Sequence, residues 1–353
     1  MNAKNKIHRL VHDWHDSGFR PVRHTVPQAA PPGHTQPDFR NLCETLEYLN
    51  RAKFERYVPT LYSKHPIAFF ERLYNWLQNE SLTEENRQTL FEFASHLAYF
   101  SFDDFVSMYR SAFSGSIARW TVDQAGISMD QDQWSNRLHE ERFDRNWYCP
   151  VTDSMLISVF HHVNGITGKG RRPAFRELME FPNIEKIKKH LQDYELTRLV
   201  LLEDFVGTGH QTLKTIKWAV ESLQIPVLFC PMIASTEACV LFREYGSTLE
   251  LPCNFTIAPV LEMDSDCFVH CVDTHDDVLC NSVVNLAERL HAEMEAAGVK
   301  FSDGPLGHWR SHSPEKGAMV VLFSNTPNNT VNLVHHDSPQ WKPLFPRITR
   351  EFP

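Results

Sequence analysis

The sequence predicts an α/β protein, a mostly parallel sheet flanked by helices, with an N-terminal α-helical region. Two observations carry that reading. From about residue 145, short apolar β-rich runs alternate with helical patterns, the order that places strands side by side under covering helices. Upstream of that point, apolar residues recur at helical spacing. A third observation makes the fold affordable: 42% of the 353 residues are hydrophobic, enough for a sizeable core in two structural units. The expected division is a helical region over 1–140, opening with a basic arm and Pro-rich linker over 1–37, and an α/β domain over 141–353.

The helical region reads as follows. The segment Asp38 to Arg56 is a first helix. Residues 66–78 start at Pro66 and put Phe69, Phe70, Leu73, Trp76 and Leu77 on one side. Ser81 with Glu84 has the form of a capping box. The helix after it aligns Leu90, Phe93, Leu97 and Phe100. Ser101 and Asp104 open another, with Phe105, Met108, Tyr109 and Phe113. Aromatic stripes at this spacing read as core rather than as a ligand box.

In the second half, strands are expected at 198–204 (RLVLLED), 226–232 (PVLFCPM), 255–261 (FTIAPVL), 318–323 (AMVVLF) and 330–336 (TVNLVHH). A helix with Leu213, Ile216, Val220 and Leu223 on one face joins the first two. Another, over 283–297, ends at Gly298 as its C-cap.

Bulk properties exclude some functions. A net charge of -9 gives no global basic balance for non-specific nucleic-acid binding. The first 25 residues are locally basic and His-rich, including Lys4, Lys6, His8, Arg9, His12 and His15. They read as a solvated, frayed terminus or as a short arm touching RNA or DNA. The start lacks the apolar segment of a signal peptide. No run of 18 apolar residues points to a membrane. The eight cysteines have no framework spacing. A cytoplasmic location with reduced thiols is therefore expected.

The chemistry is expected at Glu203-Asp204-Phe205-Val206-Gly207-Thr208-Gly209. An apolar strand ends in two acids, a glycine-containing turn follows, and an amphipathic helix begins. Open parallel sheets bind ligands at the C-terminal ends of their strands. Gly207 and Gly209 let backbone approach a phosphate, and Thr208 offers a hydroxyl. The first helical N–H groups, near His210, Gln211 and Thr212, face an anion with the positive end of the helix dipole. Acids beside such a cradle need a neutral or cationic partner. Ribose hydroxyls satisfy that, as does a Mg²⁺ held by those hydroxyls and a pyrophosphate. A Walker loop is excluded, because Gly165-Ile166-Thr167-Gly168-Lys169-Gly170 has neither the spacing nor the hydroxyl. A dinucleotide fingerprint is excluded by the missing third glycine after Gly207 and Gly209. The alternative is an ordinary strand–turn–helix that happens to end in acids.

The acid pair, its two spacers and Gly207-Thr208-Gly209 resemble the phosphoribosyl-pyrophosphate motif of type I phosphoribosyltransferases. The resemblance implies that Glu203 and Asp204 hold the ribose hydroxyls, and with them a Mg²⁺. It also implies that Val206 and Gly207 through Gln211 wrap the 5′-phosphate. Gln211 stands where that motif usually has a hydroxyl residue, which argues against a standard base-salvage enzyme. Over roughly residues 90–350, the chain resembles more narrowly the phosphoribosyltransferase-like conflict-effector family (PRTase-CE). That match rests on Phe205 through Gly209 with Gln211, on Asn325-Thr326-Pro327-Asn328-Asn329-Thr330, and on Trp341 through Arg347. The resemblance implies a toxic effector of bacterial anti-phage defence loci, including retrons. Such an effector would bind phosphoribosyl pyrophosphate (PRPP) or a nucleotide, as a transferase or by cleaving a glycosidic bond. Its partner in a retron would be a reverse transcriptase with its RNA–DNA product. The alternative is a non-catalytic nucleotide sensor on the same fold.

Asn325, Asn328 and Asn329 follow an expected strand, and asparagine both donates and accepts. They are expected either to contact the ligand or to form a turn stabilised by its own side chains. Lys169, Arg171 and Arg172 read as a solvated basic loop or a pyrophosphate cover. His161 and His162 read as structure. Cys267, His270, Cys271 and His275 fit no standard zinc spacing. The stretch 304–314, glycine-rich in the family, is divergent and receives no role.

Overall fold

The structure is a computed structural model that describes residues 2–16, 38–57, 68–130, 132–167, 184–249, 255–264, 268–270, 278–299 and 316–347. The chain divides into two compact units. One is 1–102 with 266–353, and the other is 103–265. The α/β domain expected over 141–353 is therefore drawn from both.

The first unit opens with α1 (Ala3–Asp16), which buries Ile7, Val11 and Trp14. This corrects the frayed arm over these residues. The apolar residues lie at i, i+4 and i+7, one helical stripe, while Lys4, His8, Arg9, His12 and His15 stay exposed on the rest of the surface. The Pro-rich linker lies outside the described residues. Asp38 caps α2 (Phe39–Ala52), its carboxylate accepting from the Arg40 and Asn41 N–H groups. A 3-10 turn (Phe54–Arg56) follows. The helix α3 (Phe69–Leu77) buries all five apolar residues expected of it; Pro66 lies outside the described residues. The cap of α4 (Glu84–Ser95) is not Ser81 with Glu84 but Thr83 with Asn86. Thr83 immediately precedes the first helical residue, and the Asn86 amide oxygen does the work of a carboxylate. The helix stops at Ser95, so Phe100 falls in β1 (Ala98–Phe100) rather than on a continuing helical stripe.

The second unit begins with α5 (Phe102–Ser111), a π-helical turn (Ala112–Ile117) and α6 (Ala118–Ala125). Phe105, Tyr109 and Phe113 are buried as expected. Then come α7 (Trp134–Asp144), β2 (Asn146–Pro150), α8 (Ile157–Val163), α9 (Ile184–Asp193) and β3 (Arg198–Val206). The unit continues with α10 (His210–Leu223), β4 (Val227–Ser235), α11 (Thr236–Ser247), β5 (Phe255–Ile257) and β6 (Leu261–Met263). The sheet order is β2–β3–β4–β5, with β6 also on β4, and every pairing is parallel. Each residue of β3 and β4 is buried, the condition of a central parallel strand. The expected strand 255–261 is two short ones, because Pro259 has no N–H to give the ladder. Its neighbours Ala258 and Val260 still donate to Phe229 and Pro231 on β4.

The first unit resumes with β7 (Phe268–His270), α12 (Val278–Ala296), β8 (Lys316–Ala318), β9 (Val320–Leu322) and α13 (Asn332–His335). Gly298 follows α12 at φ +85°, as a C-cap requires. β9 pairs with β1 in parallel, not with the five-stranded sheet. The run 330–336, expected as a strand, is a short helix. The Leu333 carbonyl accepts the indole N–H groups of Trp76 (2.7 Å) and Trp341 (3.1 Å), so it is committed to side chains instead of a neighbouring strand. Both indoles are fully buried beside Phe54, Phe69 and Phe345. Among the described residues, no helix is long and apolar enough to cross a membrane.

Candidate functional site

The sheet geometry explains why the acid pair is polar-walled. β2 ends at Pro150, opposite Leu202, while β3 runs on to Val206 beside β4. Glu203 and Asp204 therefore project beyond the end of β2, and the chain that leaves β2 fills the space. Val151 still donates to the Leu202 carbonyl, at 2.9 Å. The next turn then presents its hydroxyls to the acids. Glu203 Oε2 accepts the Thr152 N–H (2.9 Å), and Oε1 accepts the hydroxyls of Thr152 (2.5 Å) and Ser154 (3.1 Å). The Ser154 hydroxyl also lies 3.0 Å from Asp204 Oδ1, which in turn accepts the Phe205 N–H at 2.7 Å.

Both acids are buried, Glu203 at 3% and Asp204 at 8% exposure. Burial first, then the Asp204 charge, pushes the Glu203 carboxyl well above the usual carboxylate range, against the lowering effect of Thr152 and Ser154. Burial and the neighbouring acid thus both oppose ionisation of Glu203. Tyr109 of α5, whose hydroxyl donates to Met155 Sδ at 3.9 Å, is also pushed up, by burial and then by the charges of Asp204 and Glu203.

The phosphate-cradle half is built by the β3–α10 turn. Gly209 is the N-cap of α10 at φ +77°, and no side chain caps the helix. Leu213 donates to the Gly209 carbonyl at 2.8 Å, the first bond of the helix, so the N–H groups ahead of it have no partner within the helix. Thr208 is buried, and His210 and Gln211 are exposed. Ser235, at the end of β4, ties this turn to the next strand. Its hydroxyl donates to the Gly207 carbonyl (2.6 Å) and accepts the Ala238 N–H (3.0 Å) as the cap of α11. A Cβ on Gly209 would meet Phe242 at 3.0 Å, in a backbone region that costs an L-residue about 1–2 kcal/mol. Gly209→Ala is expected to destabilise the protein by at least about that much, measured as a lower urea midpoint.

The structure brings Glu203, Asp204, Val206, Gly207, Thr208, Gly209, His210 and Gln211 together at one sheet edge. Asn325, Asn328 and Asn329 belong to the other unit, where their string closes on itself. Leu322 and Asn325 exchange backbone bonds at 3.2 Å, and Asn325 Oδ1 accepts the Thr326 N–H. The Thr330 N–H donates to the Pro327 carbonyl, and the Asn329 carbonyl accepts from Ala318. The second half of the signature is core: the buried Arg72 guanidinium donates to the Leu344 carbonyl, and Tyr57 to that of Pro346. His161 is buried, as expected of a structural histidine. Lys169, Arg171 and Arg172, the side chains of the Cys267–His275 group, and 304–314 lie outside the described residues.

Sequence reasoning missed Thr152 and Ser154. Their signal was a hydroxyl pair two residues apart just after the apolar run 147–151, but the five-residue strand before them was not recognised. It also took Tyr109 for core alone.

A parallel sheet whose central strand carries an acid pair near its C-terminal end, followed by a glycine turn and a helix N-terminus with no side-chain cap, defines a phosphoribosyltransferase-like α/β protein. The PRTase-CE family model matches residues 73–347, and the chain belongs to that family. No curated protein and no solved structure matches it.

Proposed function

We propose that this protein is a phosphoribosyltransferase-like conflict effector that binds PRPP or a nucleoside 5′-phosphate and acts at ribose C1′. The observation that carries this reading is the convergence of Asp204, Glu203 and the Gly207–Gln211 turn at one edge of the second unit's sheet. The 5′-phosphate is taken by the N–H groups of the turn and of the first turn of α10, helped by the helix dipole. The ribose 2′- and 3′-hydroxyls go to Asp204. Because Ser154 already donates to that carboxylate, binding exchanges one hydroxyl donor for another and the turn after β2 opens. Charge at Asp204 then favours the positive character that develops at C1′ as its bond to the leaving group stretches.

The donor set fits Mg²⁺ only in part. Asp204 is a hard oxygen ligand of the right kind, whereas Glu203, whose ionisation is opposed by burial and by Asp204, is the poorer ligand of the two. When bound, Mg²⁺ would neutralise pyrophosphate charge. Family membership supports a place in a defence system, in which the partner is another component of that system, such as a retron reverse transcriptase with its RNA–DNA product.

A second reading, a non-catalytic nucleotide-binding module, is favoured by the burial of both acids behind their own hydroxyl partners. Calorimetric titration with PRPP and Mg²⁺, and with nucleoside 5′-monophosphates, followed by assay for released pyrophosphate or free base, separates the two. Binding with release is the expected result. Binding without release supports the module. No binding of any 5′-phosphoribosyl compound sinks both.

A further inference from the structure

The geometry points to a zinc-type metal site in the first unit, formed by His8 of α1 with Cys43 and Glu47 of α2. This site is independent of the phosphoribosyl reading and lies in a helix pair that precedes the segment matched by the family model. Cys43 and Glu47 are four residues apart, so they share one face of α2 and stack one turn apart. Ile7 and Val11 of α1 share one buried cluster with Cys43 and Leu46 of α2, and His8 follows Ile7. The three side chains each bring a potential ligand atom, all within 4.8 Å of one another. His8 Nε2 already lies 2.5 Å from Glu47 Oε1.

The donors suit zinc. A neutral imidazole, a thiolate and a carboxylate are its three usual ligand types, with bonds of about 2.0–2.3 Å in a tetrahedron. Tetrahedral ligands at that radius sit roughly 3.3–3.8 Å apart, so the cluster needs movements of no more than about 1 Å to receive the ion. Three protein ligands leave a fourth position for water. Glu47 has an oxygen to spare: Oε2 is held by the Lys4 ammonium at 2.8 Å, which orients the carboxylate from outside, as partners of metal ligands commonly do. His8 is exposed, so solvent and ion reach the cluster from its side, while Cys43 is buried at 3% exposure and closes the inner end. On binding, the thiol gives its proton to solvent as the sulfur–metal bond forms. The ion would tie α1 to α2, coupling its binding to the packing of the two helices.

Cobalt is the probe. The full-length, reduced, metal-free chain is titrated with Co²⁺ and back-titrated with Zn²⁺. One ion per chain is expected, with the near-ultraviolet charge-transfer band of a cobalt thiolate, displaced by zinc. Cys43→Ser is expected to lose that band. His8→Ala and Glu47→Gln, both at solvent-reachable positions, are expected to weaken binding by more than the ~10–100-fold typical of losing an outer-shell partner, with unchanged far-ultraviolet circular dichroism. The proposal is overturned if the wild type gives no thiolate band. It is equally overturned if the band survives in Cys43→Ser, or if the folded His8→Ala and Glu47→Gln proteins bind as tightly as the wild type.

Discussion

Asp204→Ala is expected to weaken binding of a Mg²⁺-loaded phosphoribosyl ligand by about 100-fold while leaving the protein folded. Hydrogen bonds to a charged group contribute about 1.5–3 kcal/mol each. Two ribose hydroxyls on one carboxylate therefore represent about 3 kcal/mol at the low end, and each 1.4 kcal/mol or so is tenfold in affinity. Folding loses the Asp204 acceptor of the Phe205 N–H, and two features offset that cost. Ser154 keeps Glu203 as an acceptor, and removing Asp204 relieves the charge that opposes ionisation of Glu203. Asp204→Asn, which keeps the shape and loses the charge, should fall between wild type and alanine. Calorimetric titration alongside a thermal melt checks both halves. Unaltered affinity in a folded Asp204→Ala protein would remove the acid pair from the site.

Much of that site was legible before any coordinates, for physical reasons that name its limits. A strand buried on both faces is largely apolar. Leu199 to Leu202 followed by Glu203 and Asp204 therefore located the strand and the candidate site near its C-terminal end, although β3 runs on past the acids to Val206. The turn was legible because Gly209 sits at a positive φ that few other residues tolerate. What stayed hidden depends on tertiary pairing. Thr152 and Ser154 reach the acids because Val151 bonds to Leu202, a pairing that the hydroxyl pair after the apolar run 147–151 does not by itself reveal. The run 330–336 was ambiguous by composition, since a short apolar stretch fits strand or buried helix equally. Trp76 and Trp341, distant in sequence, settle it by taking the Leu333 carbonyl. α1 escaped notice because its lysines and histidines outnumber the three buried residues that define its stripe. The Asn325–Thr330 string was expected either to contact the ligand or to form a turn, and its backbone bonds close a turn within the first unit.

The electrostatic cost concentrated on Glu203 gives the second large effect. In the unfolded chain its carboxyl ionises near the ordinary 4.5; in the folded protein, burial and Asp204 hold the proton to well above that. Between those two values the folded state keeps a proton that the unfolded state has lost, so unfolding releases it and stability falls as pH rises. The group's contribution is therefore fully present below about pH 4.5 and drains away up to the raised folded value. Glu203→Gln, shaped like the protonated acid, has no proton to lose. Relative to wild type it should gain stability steadily as pH rises from about 5 through the raised folded value; the Thr152 and Ser154 hydroxyls still find an acceptor in the amide oxygen, while the Thr152 N–H loses its own, a cost that does not vary with pH. Glu203→Ala removes that acceptor and leaves a cavity, at a cost of about 2–4 kcal/mol, because the Thr152 N–H and hydroxyl lose their shared partner. Urea unfolding of the three proteins across that pH range reads both effects. A Gln variant that tracks the wild-type pH profile would mean that Glu203 ionises as freely inside the fold as outside it.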